Sequence, residues 1–261
     1  MIRSLQDLVH YTFRADDGDA GRVHDFYFDD DTWAIRYLVA DTGRWLPGKI
    51  VLLPPQAIRS FDWKDRVVHL DVTKEQIENS PAAVTDEPVS RQQEEELFDH
   101  FGWRPYWYPT PLPMDQGPEL APVRRNAPEV VNERPPSPER QDPHLRSVQE
   151  ILNYDVHCQD ADCGSVADVA VDDEEWVIRY LVVDTHKWLP GRKVLVAPAW
   201  TDRFEWSEER VHVDLTRQHI ADSPEFDPNQ PINRRYEERL YDFYGTPRYW
   251  AEEEREEEGE G

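Results

Sequence analysis

The sequence predicts an all-β protein made of two copies of one small unit, each a group of short strands followed by short helices. Three observations predict it. Offsetting the chain by 143 residues aligns positions 3–81 with 146–224 without a gap, and about 35 of the 79 pairs are identical. Within that repeat, IRYLVADTGRWLPGKIVLLP at 35–54 returns as IRYLVVDTHKWLPGRKVLVA at 178–197, two β-branched runs joined by a Pro-Gly loop. The remaining runs are equally short and separated by Asp- and Gly-rich turns, a spacing that suits a small antiparallel barrel or sandwich.

Taken in order, residues 11–13 read as a strand, 16–21 as a turn, 23–28 as a second strand and 29–31 as another turn. Trp33, Ile35, Tyr37 and Val39 alternate with Ala34, Arg36, Leu38 and Ala40, which gives the next strand one strongly apolar face. Residues 50–53, 58–63 and 67–72 supply three more strands. Thr73 and Thr216 then stand where a helix N-cap belongs, ahead of short polar runs that end at Pro81 and Pro224. A last helix, 94–101 or 236–244, leads into the aromatic segments 103–108 and 249–250. Between the copies the chain is rich in proline and reads as an extended linker. The expected division is therefore a first copy at 1–110, a linker at 111–143, a second copy at 144–250 and an acidic tail at 251–261. Few contacts are expected to cross between the copies, and each is expected to fold alone.

The net charge is −25, and the tail, with seven Glu against one Arg, contributes only −6 of it, so both copies are acidic. Such a field repels phosphate backbones and argues against nucleic acid as a partner, while it suits a basic one. No apolar run reaches the length of a membrane helix and no signal peptide opens the sequence, so a cytoplasmic protein without a transmembrane segment is expected. The two cysteines, Cys158 and Cys163, flank a turn; a bridge across it is geometrically conceivable, but free reduced thiols are the expectation for that compartment. His157 beside them makes at most a third metal ligand, and no metal site is expected.

Asp41-Thr42-Gly43 resembles a protease loop, but the second copy reads Asp184-Thr185-His186, so the better reading is a turn that hydrogen-bonds its own backbone. Asp29-Asp30-Asp31 and Asp172-Asp173-Glu174-Glu175 lack the spacing of a calcium loop and read as solvated turns. His69 and His212 precede Asp71 and Asp214 by two positions and read as structural hydrogen bonds; Arg36 and Arg179 read as ion-paired to acids on neighbouring strands. Trp33, Trp45, Trp63, Trp176, Trp188 and Trp206 are expected mainly in the core. No catalytic set emerges. The Trp-Leu-Pro-Gly loops are repeated letter for letter, which makes Trp45, Leu46, Pro47, Trp188, Leu189 and Pro190 the expected partner-binding residues.

The opening Arg-Ser-Leu-x-Asp-Leu, the stretch 21–25, Trp33-x-Ile-Arg-Tyr-Leu-Val, Asp41-Thr42, Trp45-Leu-Pro-Gly and the closing Leu97-Phe-Asp-x-Phe-Gly-Trp together resemble the PRC-barrel family. That family takes its name from the cytoplasmic domain of the photosynthetic reaction-centre H subunit and includes the C-terminal domain of the ribosome maturation factor RimM. The resemblance extends over both copies. It implies two PRC-type antiparallel β-barrels in tandem, of about six strands each, serving as a docking module with no cofactor. The implied function is a non-enzymatic protein-binding scaffold. The alternative is a peripheral component of a reaction centre or other membrane electron-transfer complex, bound at its cytoplasmic face.

Overall fold

The structure, a computed structural model, describes residues 1–43, 45–81, 89–107, 145–186 and 188–251; the expected linker and all of the acidic tail after Ala251 lie outside them. The chain begins with β1 (Ile2–Ser4) and a one-turn helix α1 (Leu5–Leu8), which sequence reasoning did not anticipate. It continues through β2 (Thr12–Ala15), β3 (Gly18–Asp29), β4 (Ile35–Asp41), β5 (Ile50–Leu53), β6 (Ile58–Asp62) and β7 (Val67–Leu70) to helices α2 (Lys74–Asn79) and α3 (Arg91–Phe101). The second copy repeats this as β8 (Leu145–Ser147), α4 (Val148–Ile151), β9 (Asp155–His157), β10 (Asp162–Asp172), β11 (Val177–Asp184), β12 (Lys193–Val196), β13 (Thr201–Glu205), β14 (Arg210–Val213), α5 (Arg217–Asp222) and α6 (Arg234–Tyr244). The expected threonine caps are present: the Thr73 hydroxyl accepts from Gln76 N and that of Thr216 from His219 N, each at 3.2 Å.

The protein is mostly β, with two sheets of matching order, β5-β4-β3-β2-β7-β6 and β12-β11-β10-β9-β14-β13. The expected pair of closed, wholly antiparallel barrels is corrected on two counts. One pairing in each sheet is parallel, β2 with β7 and β9 with β14. Neither sheet closes: β5 and β6 are consecutive in sequence yet lie at opposite ends of the hydrogen-bonded order. Their connection is a 3-10 turn over Pro55–Ala57, capped by Pro54, and not a hairpin. Two prolines in succession offer no amide to a ladder there.

The seventh strand of each sheet comes from the other copy. β3 is twelve residues long, and β2 covers only its first part, pairing Thr12 with Arg22 and Ala15 with Gly18. The edge left open further along is filled by β8, with Tyr27 opposite Ser147 and Asp29 opposite Leu145. Reciprocally, β1 fills the open edge of β10, Ile2 opposite Asp172 and Ser4 opposite Ala170. The expectation that few contacts cross between the copies is thereby corrected. One buried apolar cluster runs from Ile2 to Trp250 through both.

The turns before β4 and β11 meet at the same boundary. Ile35 N donates to Trp176 O at 2.7 Å, and Ile178 N to Trp33 O at 2.8 Å. Both tryptophans hold left-handed backbone, with φ of 62° and 57°, an uncommon state for so bulky a side chain. The Trp33 ring lies 5.2 Å from Phe204, and the Trp176 ring 5.9 Å from Phe61, each across the boundary. These rings and those of Trp45 and Trp188 are half-buried at the margin of the core, and Trp63 is exposed; deep burial falls instead to Trp200 and Trp250.

Candidate functional site

The loops carrying the expected partner-binding residues are built around one threonine each. β4 ends at Asp41, whose carboxylate accepts from Gly43 N at 2.8 Å, and Asp184 accepts from His186 N at 2.9 Å, so the Asp-Thr pairs do form the expected backbone-bonded turns. The Thr42 hydroxyl, 2% exposed, lies 2.7 Å from Leu46 O and 2.8 Å from Lys49 O and shares its proton between them. Thr185 does the same with Leu189 O at 3.1 Å and Arg192 O at 2.9 Å. Lys49 N also donates to Leu46 O across Pro47 and Gly48, and Gly48 has φ of 78°. That is a type II turn, in which proline pre-sets the first corner and only glycine sits easily at the second. Pro47 and Pro190 are exposed, whereas Trp45, Leu46, Trp188 and Leu189 are half-buried. Lys74 Nζ sits 4.4 Å from the Trp45 ring and Arg217 Cζ 4.3 Å from the Trp188 ring, closing these aromatics off on one side.

A second constellation is built where the exchanged arms dock. Asp25 lies on a strand among apolar neighbours and is 6% exposed. It accepts from the Ser147 hydroxyl, from Gln149 N at 3.1 Å and from its neighbour Phe26 N at 2.7 Å. Asp168 receives the Ser4 hydroxyl, Gln6 N at 3.3 Å and Val169 N at 2.7 Å in the same manner. Each arm serine also caps its own helix, accepting from Asp7 N at 3.2 Å or Glu150 N at 3.1 Å. Burial pushes both aspartates above the ordinary carboxylate range, and the hydrogen bonds from Ser147 and Ser4 act against it. Beside them Arg146 Nε lies 3.0 Å from Asp30, and Arg3 pairs with Asp173. Each arginine covers a tryptophan of its own copy: Arg3 Cζ is 3.6 Å from the Trp63 ring and Arg146 Cζ 4.2 Å from Trp206. Sequence reasoning quoted Arg-Ser and Asp25 as motif residues and gave them no role. The available signal was an aspartate in phase with buried positions of an apolar strand.

Helices α3 and α6 are fastened by a third arrangement. Glu94, 3% exposed, accepts from the hydroxyls of Tyr37 at 2.8 Å and Tyr106 at 2.9 Å, with Arg91 at 3.0 Å. Glu237 takes Tyr180 at 2.7 Å and Tyr249 at 2.9 Å. Burial raises the Glu94 carboxyl, opposed by the Arg91 charge and the two tyrosines, and burial raises Tyr37 as well. Both carboxylate oxygens of Glu94 and of Glu237 have a donor at hand, which is the pattern of a structural clasp. Arg36 and Arg179 cover the Tyr106 and Tyr249 rings at 4.0 and 3.9 Å and pair with Asp29, at 3.3 Å, and Glu175. Arg36 thus has the expected ion pair to a neighbouring strand, whereas Arg179 pairs within the turn that precedes its own strand. The aspartate turns are less open than expected, since Asp29 and Asp172 each bind two backbone amides of the turn. His212 lies 3.1 Å from Glu205, not on the expected Asp214, which accepts from Gln159 instead.

The expectation of free thiols is corrected: Cys158 and Cys163 form a disulfide across the β9–β10 turn, with Cα atoms 5.9 Å apart. The register pairs His157 with Asp162, so the cysteines lie diagonally across that pair, Cys158 on the turn side of it and Cys163 one residue along β10, at a separation that suits the bond. Among the described residues no group of three or more His, Cys, Asp and Glu could hold a metal ion, and no helix is long and apolar enough to cross a membrane.

Compared with known proteins, residues 11–77 match the family model of the PRC-barrel domain. No curated protein matches the chain significantly.

Proposed function

With residues 11–77 belonging to the PRC-barrel domain family, we propose that this chain is a non-enzymatic protein-binding module whose second copy is another such domain. One observation carries the reading: each sheet already takes in a strand from outside its own copy. Main-chain pairing supplies the attachment and acidic side chains choose what enters, which is how strand-adding recognition domains work. The acids that select are Asp25, Asp30, Asp168 and Asp173, and together with the net charge of −25 they favour a partner with basic segments. The Trp45-Leu46-Pro47 and Trp188-Leu189-Pro190 loops are the proposed outward contacts, because their rigid turns hold an exposed proline beside a half-buried leucine.

The test uses the tagged full chain, expressed in its native cells, beside the Leu46→Ala/Leu189→Ala variant. Circular dichroism establishes that the variant is folded. Each truncation is expected to weaken capture of co-purifying protein by about 1–2 kcal/mol. A folded double variant that captures the same proteins in the same amounts makes these loops structural.

A further inference from the structure

In the second copy, the end of β11, the start of β12, the first turns of α6 and the loop ahead of that helix enclose an open cavity of about 1050 Å³. Its wall is pinned at three points. Phe226 N donates to Lys193 O at 3.0 Å, the Tyr236 hydroxyl donates to Pro224 O at 3.0 Å, and Ile232 bridges to Ile2 of the first arm. The turn within the wall is closed on itself: the Asp227 carboxylate accepts from Asn229 N at 2.9 Å, Asn229 Nδ2 at 3.0 Å and Gln230 Nε2 at 2.9 Å. The cavity is thus held open by the fold, as small-molecule sites generally are.

Four of the lining residues are basic: His186, Lys193, Arg235 and Arg239. The first copy has Gly43, Ile50, Gln92 and Glu96 at the matching positions, and its β5 and α3 form without those bases. Folding therefore does not call for them. Although the sequence holds 54 acids against 29 Lys and Arg, Lys193, Arg235 and Arg239 have no carboxylate partner among the described residues. Three acids also line the cavity, but two are engaged: Asp227 closes its own turn, and Asp184 accepts from His186 N and lies 3.3 Å from that ring. Glu225 is left to face three cations, a surplus of donors.

We propose that this cavity binds a small organic anion, a phosphate or carboxylate carried on an apolar body about the size of one ring. Arg235 and Arg239 stand four residues apart on one face of α6, and their guanidinium forks match a carboxylate or phosphate, with Lys193 as a third donor. The half-buried Phe226 and Tyr236 rings take the body. With a net charge of −25 the molecule does not steer anions inward, so affinity comes from these contacts. His186 and Gly191 flank Trp188-Leu189-Pro190, which places the ligand beside one proposed contact loop. The site does not depend on what that loop binds.

The test titrates the full chain with phenyl phosphate, phthalate and inorganic phosphate at constant ionic strength, with calorimetry for affinity and amide NMR shifts for location. Saturable binding of one phenyl phosphate or phthalate per chain is expected, with shifts at Lys193, Phe226 and Arg235 and none at Ile50 or Gln92. The preference between those two anions tells a phosphate ligand from a carboxylate one. Inorganic phosphate lacks the apolar body and is expected to bind roughly tenfold more weakly. Arg235→Gln/Arg239→Glu, which installs the first copy's residues, is expected to weaken binding roughly tenfold or more. Arg203→Gln, on β13 and outside the cavity lining, is expected to leave it unchanged.

Circular dichroism checks that the double variant is folded, and Lys193→Ile makes the same comparison if it is not. Absence of saturation by both organic anions overturns the proposal. So does inorganic phosphate binding as tightly as phenyl phosphate, which would make the rings irrelevant, and so does unchanged affinity in a folded variant. Protein capture through the loops is a separate measurement that none of these outcomes alters.

Discussion

The first copy lines its arm-receiving strand with Phe26 and Phe28 and turns its β2–β3 hairpin through Ala15 and Ala20; the second uses Val169 and Val171 and closes the equivalent hairpin with Cys158–Cys163. Against this drift stand the groups that have not changed: the arm arginine and serine, their aspartates, and Thr42 and Thr185 under the loops. Hydrogen bonds have fixed lengths and directions, so a donor or acceptor has few substitutes. Apolar volume can be redistributed between facing residues if the total is kept. The copies have diverged where physics tolerates trade and stayed alike where it does not.

The largest test of that contrast removes apolar volume. Leu5→Ala is expected to destabilise the chain by about 2–5 kcal/mol, and Val148→Ala, which loses fewer carbons, by about 1–3 kcal/mol, read from urea midpoints. A greater loss at Val148 would mean that the second arm, not the first, is the better packed. Next comes the disulfide. Cys158→Ala/Cys163→Ala removes a bridge of sequence separation 5, a short loop whose closure is worth about 2 kcal/mol at most. Since the first copy turns the same hairpin with alanines, a fall of a few degrees in Tm is expected. Loss of folding would show that valines in β10 need the bridge where phenylalanines in β3 do not.

The smallest expected effect is a pH slope common to both copies. Burial holds Asp25 and Asp168 above their unfolded pKa. The native state then binds more protons than the unfolded one just above pH ~4, so stability from these groups falls as pH rises through that window. Asp29 and Asp172 behave oppositely: burial works to raise them, but amide hydrogen bonds and the charges near Arg36 and Arg179 hold them low. Their contribution is present above the unfolded pKa and disappears as pH falls below it. Asp25→Asn/Asp168→Asn should flatten the slope on the upper side of pH ~4 and leave the acid limb unchanged, in urea titrations taken across pH 3–7. An unchanged upper slope would remove burial as the cause.

Much of each sheet was legible, because alternation at Trp33 to Ala40 and the turn residues at 16–21 and 29–31 are local signals. The threonine caps and the Asp-Thr turns were legible for the same reason. Arm exchange was not, since Arg-Ser-Leu at position 3 reads the same whether it pairs with its own copy or the other. The parallel β2–β7 pairing has no local signature either. Leu-Pro-Gly was read as a sign of a partner, yet the left-handed Gly48 and the Lys49 to Leu46 hydrogen bond give the repetition a backbone reason as well. Gly21 was legible only as a turn. A Cβ there would stand 2.3 Å from Asp41 O, so β3 and β4 approach too closely for any other residue.

Reciprocal arms also order events in time. When the ribosome has made β3 and the rest of the first copy, the strand that completes the sheet, β8, begins only at Leu145. At elongation rates of about 5–20 residues per second, the stretch from 108 to 151 takes roughly 2–9 s to make. Throughout that interval the edge at Tyr27–Asp29 presents unpaired amides and carbonyls to its surroundings, and α1 has no β10 to lie against. On a polysome, the nearest free arm can then belong to a neighbouring nascent chain, so synthesis is the stage at which entanglement between molecules competes with closure within one.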